Sequence, residues 1–199
     1  MGRPRKDAIK VPTKLRILTS AETHFGEFGY DSASLADIAS SAGIRRASLL
    51  YHYGSKEKLY LAVQEALFAD LAQALAPSFV SQAPFAERLM GMTSDYLTFL
   101  SDRPTFSAIV VRDLIDDRGA ARARILEFLD PVITTVERWI ATEGSGIVRP
   151  GLNLRAALLM ISSDALLRQA TGPLGQQLWA DPKVSIELSR QLFFGDSAT

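Results

Sequence analysis

A chain of 199 residues in which 47% of the side chains are hydrophobic can bury a sizeable core, so the composition argues against a disordered protein. The absence of cysteine excludes disulfides, thiolate metal sites and cysteine nucleophiles. The beginning of the chain is charged, and no apolar stretch suited to a signal peptide or a membrane helix follows it. We therefore expect a soluble cytoplasmic protein with no membrane partner.

The formal net charge is zero, but the charges are unevenly distributed. Residues 1–60 carry ten Lys and Arg against six Asp and Glu, whereas residues 61–199 carry twelve against sixteen. A basic amino-terminal part is typical of a segment that meets a polyanion. A solvated basic terminus is an equally weighted alternative.

Helical periodicity begins near residue 17. A first amphipathic helix, ended by Gly29, is predicted by the apolar residues Leu18, Ala21, Phe25 and Phe28. Ser34, followed three residues later by Asp37, predicts the N-cap of a short helix. A second short helix fits residues 45–52.

Longer helices are predicted to follow. The first begins at Ser55 and precedes Pro77, and its apolar face is formed by Leu59, Val63, Ala66, Leu67 and Leu71. Further helices are predicted at residues 84–100, 104–115, 120–142, 153–169 and 182–194, with a kink at Pro131 and irregular segments at 144–151 and 171–180. No alternating strand pattern occurs, so the predicted fold class is all-α.

Residues 35–58 carry the functional signal. Two short helices that cross steeply need a small residue on the first helix and a glycine in the turn, and Ala39 and Gly43 supply them. The apolar positions that hold both helices to a core are Ile38, Ala42, Ile44 and Leu49. Arg45 and Arg46 then point outward, where guanidinium groups suit guanine edges or phosphates.

Residues 34–44 (SLADIASSAGI) and 47–57 (ASLLYHYGSKE) resemble the amino-terminal signature of the tetracycline-repressor (TetR/AcrR) family. The preceding stretch from Ile17 to Tyr30 resembles the first helix of that family. The resemblance implies a helix-turn-helix three-helix DNA-binding domain at 1–56, with a basic arm, and a helical effector-binding and dimerisation domain at 57–199. It also implies a homodimeric, sequence-specific regulator, a repressor that a small-molecule effector releases from an inverted-repeat operator.

The resemblance assigns roles to individual residues. Ser34 would cap its helix and touch phosphate, while Arg45, Arg46 and Ser48 would read bases. Tyr51 and His52 would contact the backbone or the groove edge, and Lys56 would bind phosphate at a helix N-terminus. The sequence departs from the family pattern at Arg45, where a capping Ser or Thr is frequent, and at Leu50, where an aromatic is frequent.

The basic arm formed by Arg3, Pro4, Arg5 and Lys6 precedes the first helix. Proline keeps such an arm extended, and its Arg3, Arg5 and Lys6 side chains suit an A·T-rich minor groove. A mobile, nonspecific tail is the evenly weighted alternative.

The carboxy-terminal part contains candidates for an apolar effector pocket, namely Phe68, Met90, Met92, Tyr96, Phe99, Phe106 and Trp139. Core packing is the more frequent role of each such side chain. Arg112 could anchor an anionic effector, although an i,i+4 pair with Asp116 is favoured.

The last two long helices hold more apolar residues than one core is expected to bury. A dimer interface is therefore predicted at Leu158, Ile161, Asp164, Leu166, Val184, Leu188 and Leu192. Asp164 and Arg168 fit either a buried registry pair at the subunit contact or a surface pair.

Two rival interpretations are a helical enzyme and an architectural DNA-binding protein that has no ligand. The chain has two histidines and no nucleophile–base spacing, phosphate loop or metal-ligand cluster, so we expect no enzymatic activity, metal or cofactor. An architectural protein would bind many sequences alike and would not need a second domain of this size.

Overall fold

The computed structural model describes residues 11–115, 120–179 and 181–195, except for the side chains of residues 120–124, 176, 182 and 183. These ranges contain α-helices and no strand, in agreement with the predicted fold class. They divide into two compact units, one ending at Gln64 and the other beginning at Glu65. No helix within these ranges is both long and apolar enough to span a membrane.

The first unit contains helices α1 (Thr13–Ser32), α2 (Leu35–Ser41) and α3 (Arg46–Tyr53), together with the start of α4 (Lys56–Val80). These four helices share a small core, to which each contributes a fully buried side chain: Phe25, Ile38, Leu49 and Leu59.

The buried face of α1 differs from the predicted one. Ile17, Ala21 and Phe25 are fully buried, whereas Leu18 is half-buried and Phe28 is 50% exposed. Because a helix turns by about 100° per residue, positions spaced by four form one stripe and Leu18 lies to its side. Gly29 interrupts the helical geometry with φ 76°, as predicted, but a further helical turn continues to Ser32.

The second unit contains the remainder of α4 and helices α5 (Phe85–Asp102), α6 (Pro104–Ile115), α7 (Ala120–Glu143), α8 (Leu154–Ala170), α9 (Pro173–Leu178) and α10 (Pro182–Phe194). Helix α8 contacts α5, α6, α7, α9 and α10, so it lies at the centre of this unit. The side chain of Asn153 caps α8 by accepting a hydrogen bond from the Ala156 N–H.

Two local expectations for this unit were wrong. Helix α4 continues through Pro77 to Val80, because a proline in the last turn removes only one backbone donor and Arg88 binds the carbonyls of the two residues that follow. The segment 171–180, predicted to be irregular, contains α9, which begins with Pro173 at a position where proline is tolerated. Helix α7 passes through Pro131, and the kink there remains a prediction.

Candidate nucleic-acid interface and ligand cavity

The turn between α2 and α3 is tightly defined. Ser34 caps α2, since its hydroxyl accepts a hydrogen bond of 3.2 Å from the Ala36 N–H. At the other end, Gly43 adopts φ +66°, and the Ile44 N–H donates to the Ala39 carbonyl at 2.9 Å. Ala39 is buried, so a small residue and a left-handed glycine bring the second helix across the first.

Helix α3 has one buried face and one solvent-facing face. Leu49 is fully buried, whereas Arg45, Arg46, Tyr51 and His52 are exposed, Tyr51 to 87%. Ser48, the remaining predicted base-reading residue, is half-buried. The helix therefore presents two arginines at its start and an aromatic pair at its end, with the rings of Tyr51 and His52 5.6 Å apart.

The start of α3 has no side-chain cap. Arg45 occupies the N-cap position with φ −81° and ψ 149°, and its side chain makes no capping hydrogen bond. This matches the departure noted in the sequence, where a charge replaces a capping hydroxyl. The exposed guanidinium and the unmet N–H donors of the first turn together favour a negatively charged partner.

The end of α3 is anchored by Tyr53, which the sequence reasoning missed. Its hydroxyl donates to the Lys14 carbonyl at 3.1 Å, and the Lys14 ammonium lies 5.7 Å from the ring centre. Burial raises the pKa of Tyr53 above its ordinary value, and even an unperturbed phenol keeps its proton at neutral pH. An aromatic residue four positions after the buried Leu49 was the signal that could have found this contact.

His24 contacts α2. Its Nε2 lies 2.8 Å from the Ser41 hydroxyl, so it links α1 to the end of α2.

Lys56 is held at the start of α4. Its ammonium donates to the Asp31 carbonyl at 2.9 Å and lies 4.8 Å from the centre of the Tyr30 ring. Burial, together with the nearby Glu57 and Asp31 carboxylates, raises the pKa of Tyr30. An ammonium has three donors, so Lys56 retains protons for a phosphate. The predicted arm residues Arg3, Arg5 and Lys6 lie outside the described residues.

The second unit contains an apolar cavity that is partly open to solvent. Helices α4, α5, α7, α8 and α10 contribute its lining: Leu71, Leu75, Leu89, Met92, Thr93, Tyr96, Val132, Ile133, Val136, Leu158, Ile161, Ser162 and Phe193. A predominantly hydrophobic lining with a few polar groups is typical of small-molecule sites.

Two of the predicted pocket residues, Met92 and Tyr96, line this apolar cavity, and the others lie elsewhere. Phe68, Phe99 and Phe106 pack on one another, with ring centres 5.2 Å apart for Phe68–Phe106 and 5.1 Å for Phe99–Phe106. Trp139 packs against Phe79 and Phe85. Arg112 is exposed, and Asp116, its predicted pair partner, lies outside the described residues.

The predicted dimer residues fall into two groups. Leu158 and Ile161 line the apolar cavity, and Leu166 is buried within the chain. Val184 and Leu188 are 53% and 57% exposed on α10, while Leu192 is half-buried. Further exposed apolar side chains on α8 are Leu159, Met160 and Leu167.

Asp164 has its partners within the chain. Its carboxylate accepts hydrogen bonds from Trp179 Nε1 at 2.5 Å and from the Ser185 hydroxyl at 3.2 Å. Arg168 lies 3.9 Å from the same carboxylate and donates to Ser185 at 2.6 Å. This network joins α8 to α10 and to the residue that follows α9, and the sequence suggested only its Asp164–Arg168 pair.

Residues 17–63 match the family model described as bacterial regulatory proteins, tetR family. They belong to the tetR family. This confirms the resemblance drawn from the sequence. Over 47 residues the chain is 49% identical to the biofilm operon icaADBC HTH-type negative transcriptional regulator IcaR of Staphylococcus epidermidis, and equally so to IcaR of Staphylococcus aureus strain Newman. The aligned segment covers 24% of this chain and 25% of the length of each relative.

Solved structures match this chain over almost its full length. The fatty acid degradation regulator FadR from Bacillus halodurans has a TM-score of 0.76 at 16% identity, covering 94% of this chain and 96% of that one. FadR from Bacillus subtilis, solved in complex with stearoyl-CoA, has a TM-score of 0.74 at 19% identity, covering 91% and 98%. At these identities the likeness shows the fold of both units.

Proposed function

We propose that this chain is a sequence-specific DNA-binding transcriptional regulator. The observation that carries the proposal is the solvent-facing side of α3, where Arg45 and Arg46 stand exposed within the segment that matches the tetR family. An α-helix fits the major groove of B-DNA, and paired guanidinium donors suit guanine O6 and N7.

The remaining interface residues fit supporting roles. Ser48 lies on the same helix as the two arginines and is assigned to base readout with them. Tyr51 and His52 extend from the other end of α3 and suit the groove edge or the sugar–phosphate backbone. Ser34 and Lys56 stand at helix N-termini, where backbone donors favour a phosphate. The arm residues Arg3, Arg5 and Lys6 are assigned to the adjacent minor groove.

The active form is proposed to be a homodimer. The apolar side chains of Met160, Leu167, Val184 and Leu188 are exposed on α8 and α10, and we assign them to one face that a second copy of the chain covers. A two-fold dimer would place its two α3 helices about 34–36 Å apart, one turn of B-DNA, and would read an inverted repeat.

Regulation is proposed to be repression, relieved by a small molecule. The negative regulator IcaR supports the sign, and the FadR complex with stearoyl-CoA supports a small-molecule effector, which we assign to the second unit. Residues 1–56 would form the DNA-binding domain, and 57–199 the effector and dimerisation domain. Helix α4 begins with Lys56 and contributes Leu71 and Leu75 to the apolar cavity, so it could carry the response. Operator binding implies a cytoplasmic location.

Selection of bound duplexes from a random library, near physiological salt, tests the proposal. We expect enrichment of one inverted repeat. Tight, salt-sensitive binding without enrichment would support the architectural alternative instead, because contacts to phosphate alone carry no sequence information. No binding at all would refute a DNA-binding role for the purified protein.

A further inference from the structure

The apolar cavity contains almost no polar chemistry. Ten of its thirteen lining residues are aliphatic, Met or Phe, and none is Asp, Glu, Lys, Arg or His. The polar lining side chains are the three hydroxyls of Thr93, Tyr96 and Ser162. Whatever distinguishes one ligand from another must therefore involve these hydroxyls or the shape of the apolar wall.

All three hydroxyls use their protons within the protein. Thr93 donates to the Leu89 carbonyl at 3.0 Å, and Ser162 donates to the Leu159 carbonyl at 3.3 Å. The Tyr96 hydroxyl donates to the Ser162 carbonyl at 3.2 Å, which also ties α5 to α8. The hydroxyls can still offer oxygen lone pairs, and these would repel an anion rather than bind it.

The surroundings of Tyr96 are consistent with a site of low polarity. Burial raises the pKa of its phenol, and no charged neighbour contributes to that shift. A charged group placed in such surroundings loses its hydration and gains no counter-charge, so its transfer from water is strongly unfavourable.

We propose that the apolar cavity selects an uncharged, predominantly hydrocarbon molecule and rejects an analogue of the same shape that bears a charge. For an amphiphile, only the hydrocarbon part would enter. The inference rests on the proposed function for its regulatory meaning, since the occupant would be the effector. The expected preference of the apolar cavity for an uncharged molecule depends only on its lining residues.

A competition experiment on the full-length protein tests the selectivity. N-phenyl-1-naphthylamine, an uncharged dye that fluoresces in apolar surroundings, serves as the probe. We expect saturation near one dye per chain and displacement by 1-isopropylnaphthalene, an uncharged molecule with a branched substituent. 1-Naphthalenesulfonate has the same rings and a branched substituent of similar size that carries one negative charge, and we expect it to compete at least tenfold more weakly. Equal competition by the two would overturn the proposal.

Two tryptophan substitutions on α7 test the location. Ile133→Trp fills the apolar cavity, whereas Thr135→Trp adds the same ring at an exposed position two residues away. We expect dye affinity to fall at least tenfold in the first variant and to stay unchanged in the second. Should Ile133→Trp lose its helical circular dichroism signal, the smaller change Val132→Phe takes its place. Equal effects at the lining and exposed positions would place the dye elsewhere and overturn the proposal.

Library selection of DNA, performed on the same preparation without dye, separates this inference from the proposed function. An enriched inverted repeat together with failed charge discrimination would refute the cavity inference and leave the regulator intact. Charge discrimination without any DNA enrichment would leave the cavity inference intact and refute the proposed sequence-specific regulator.

Discussion

Arg88 joins three helices of the second unit, and its removal should destabilise that unit. Its Nε donates to the Ser78 carbonyl and its Nη2 to the Phe79 carbonyl, both at 2.9 Å, at the end of α4. Its Nη1 lies 2.6 Å from Glu143 on α7, and the guanidinium lies 5.2 Å from the centre of the Trp139 ring. The Arg88 side chain is only 10% exposed, so water cannot readily replace these contacts.

The two carbonyl contacts dominate the expected loss. A hydrogen bond from a charged group contributes about 1.5–3 kcal/mol, and neighbouring contacts are not additive. The ion pair adds less, because Glu143 is 42% exposed and exposed pairs contribute about 0–1 kcal/mol. We therefore expect Arg88→Ala to lower the free energy of unfolding by about 3 kcal/mol, which is the sum for two such hydrogen bonds at the lower value of the range. Arg88→Lys should recover part of this, since an ammonium cannot span both carbonyls in the planar geometry of a guanidinium.

Urea unfolding followed by tryptophan fluorescence measures the effect, because both tryptophans, Trp139 and Trp179, lie in the second unit. With a slope of about 2 kcal/mol/M, the Arg88→Ala midpoint should fall by about 1.5 M. Arg138→Ala, at an exposed position on α7, is the control and should change stability by less than about 0.5 kcal/mol. All variants are compared at one protein concentration, since a dimer's stability depends on it. A result for Arg88→Ala indistinguishable from the control would refute the reasoning.

Three other changes give distinct expectations. Gly43→Ala should lower the free energy of unfolding by about 1–2 kcal/mol, because φ is +66° there and the added methyl meets only an ordinary contact. Gly91→Ala within α5 should raise the free energy of unfolding by about 0.5–1 kcal/mol in thermal or urea unfolding. Changes of the same sign in the two variants would contradict the strain at Gly43. Leu188→Asp should convert the dimer to a monomer in sedimentation analysis, and the similarly exposed Leu126→Asp should not; a persistent dimer would exclude this face. Lys56→Ala should weaken all DNA sequences alike and lower the salt slope by about one unit in binding titrations, and a loss confined to some sequences would rule out a phosphate contact.

The geometry of the nucleic-acid interface could be anticipated because its determinants are local. The Ser34 cap, the small Ala39 and the left-handed Gly43 act within ten residues of one another, and each dictates a backbone feature by itself. The Lys14–Tyr53 contact was missed because its partners are 39 residues apart in sequence.

The apolar cavity could not be anticipated in the same way, because five helices build it. The sequence reasoning favoured aromatic side chains, but Phe68 and Phe106 fill the core by packing on one another, and aliphatic residues line most of the cavity. Helix α8 is apolar around most of its circumference, so periodicity alone did not show that Leu158 and Ile161 face inward while Met160 and Leu167 face solvent.

Sequence readout by the exposed start of α3 can be tested by repeating the library selection with Arg45→Ala and Arg46→Ala beside the unaltered protein. We expect an inverted repeat that loses base preference at defined, symmetry-related positions in at least one variant, with a loss of about 1–3 kcal/mol for each base contact removed. An unchanged selected sequence in both variants would contradict it.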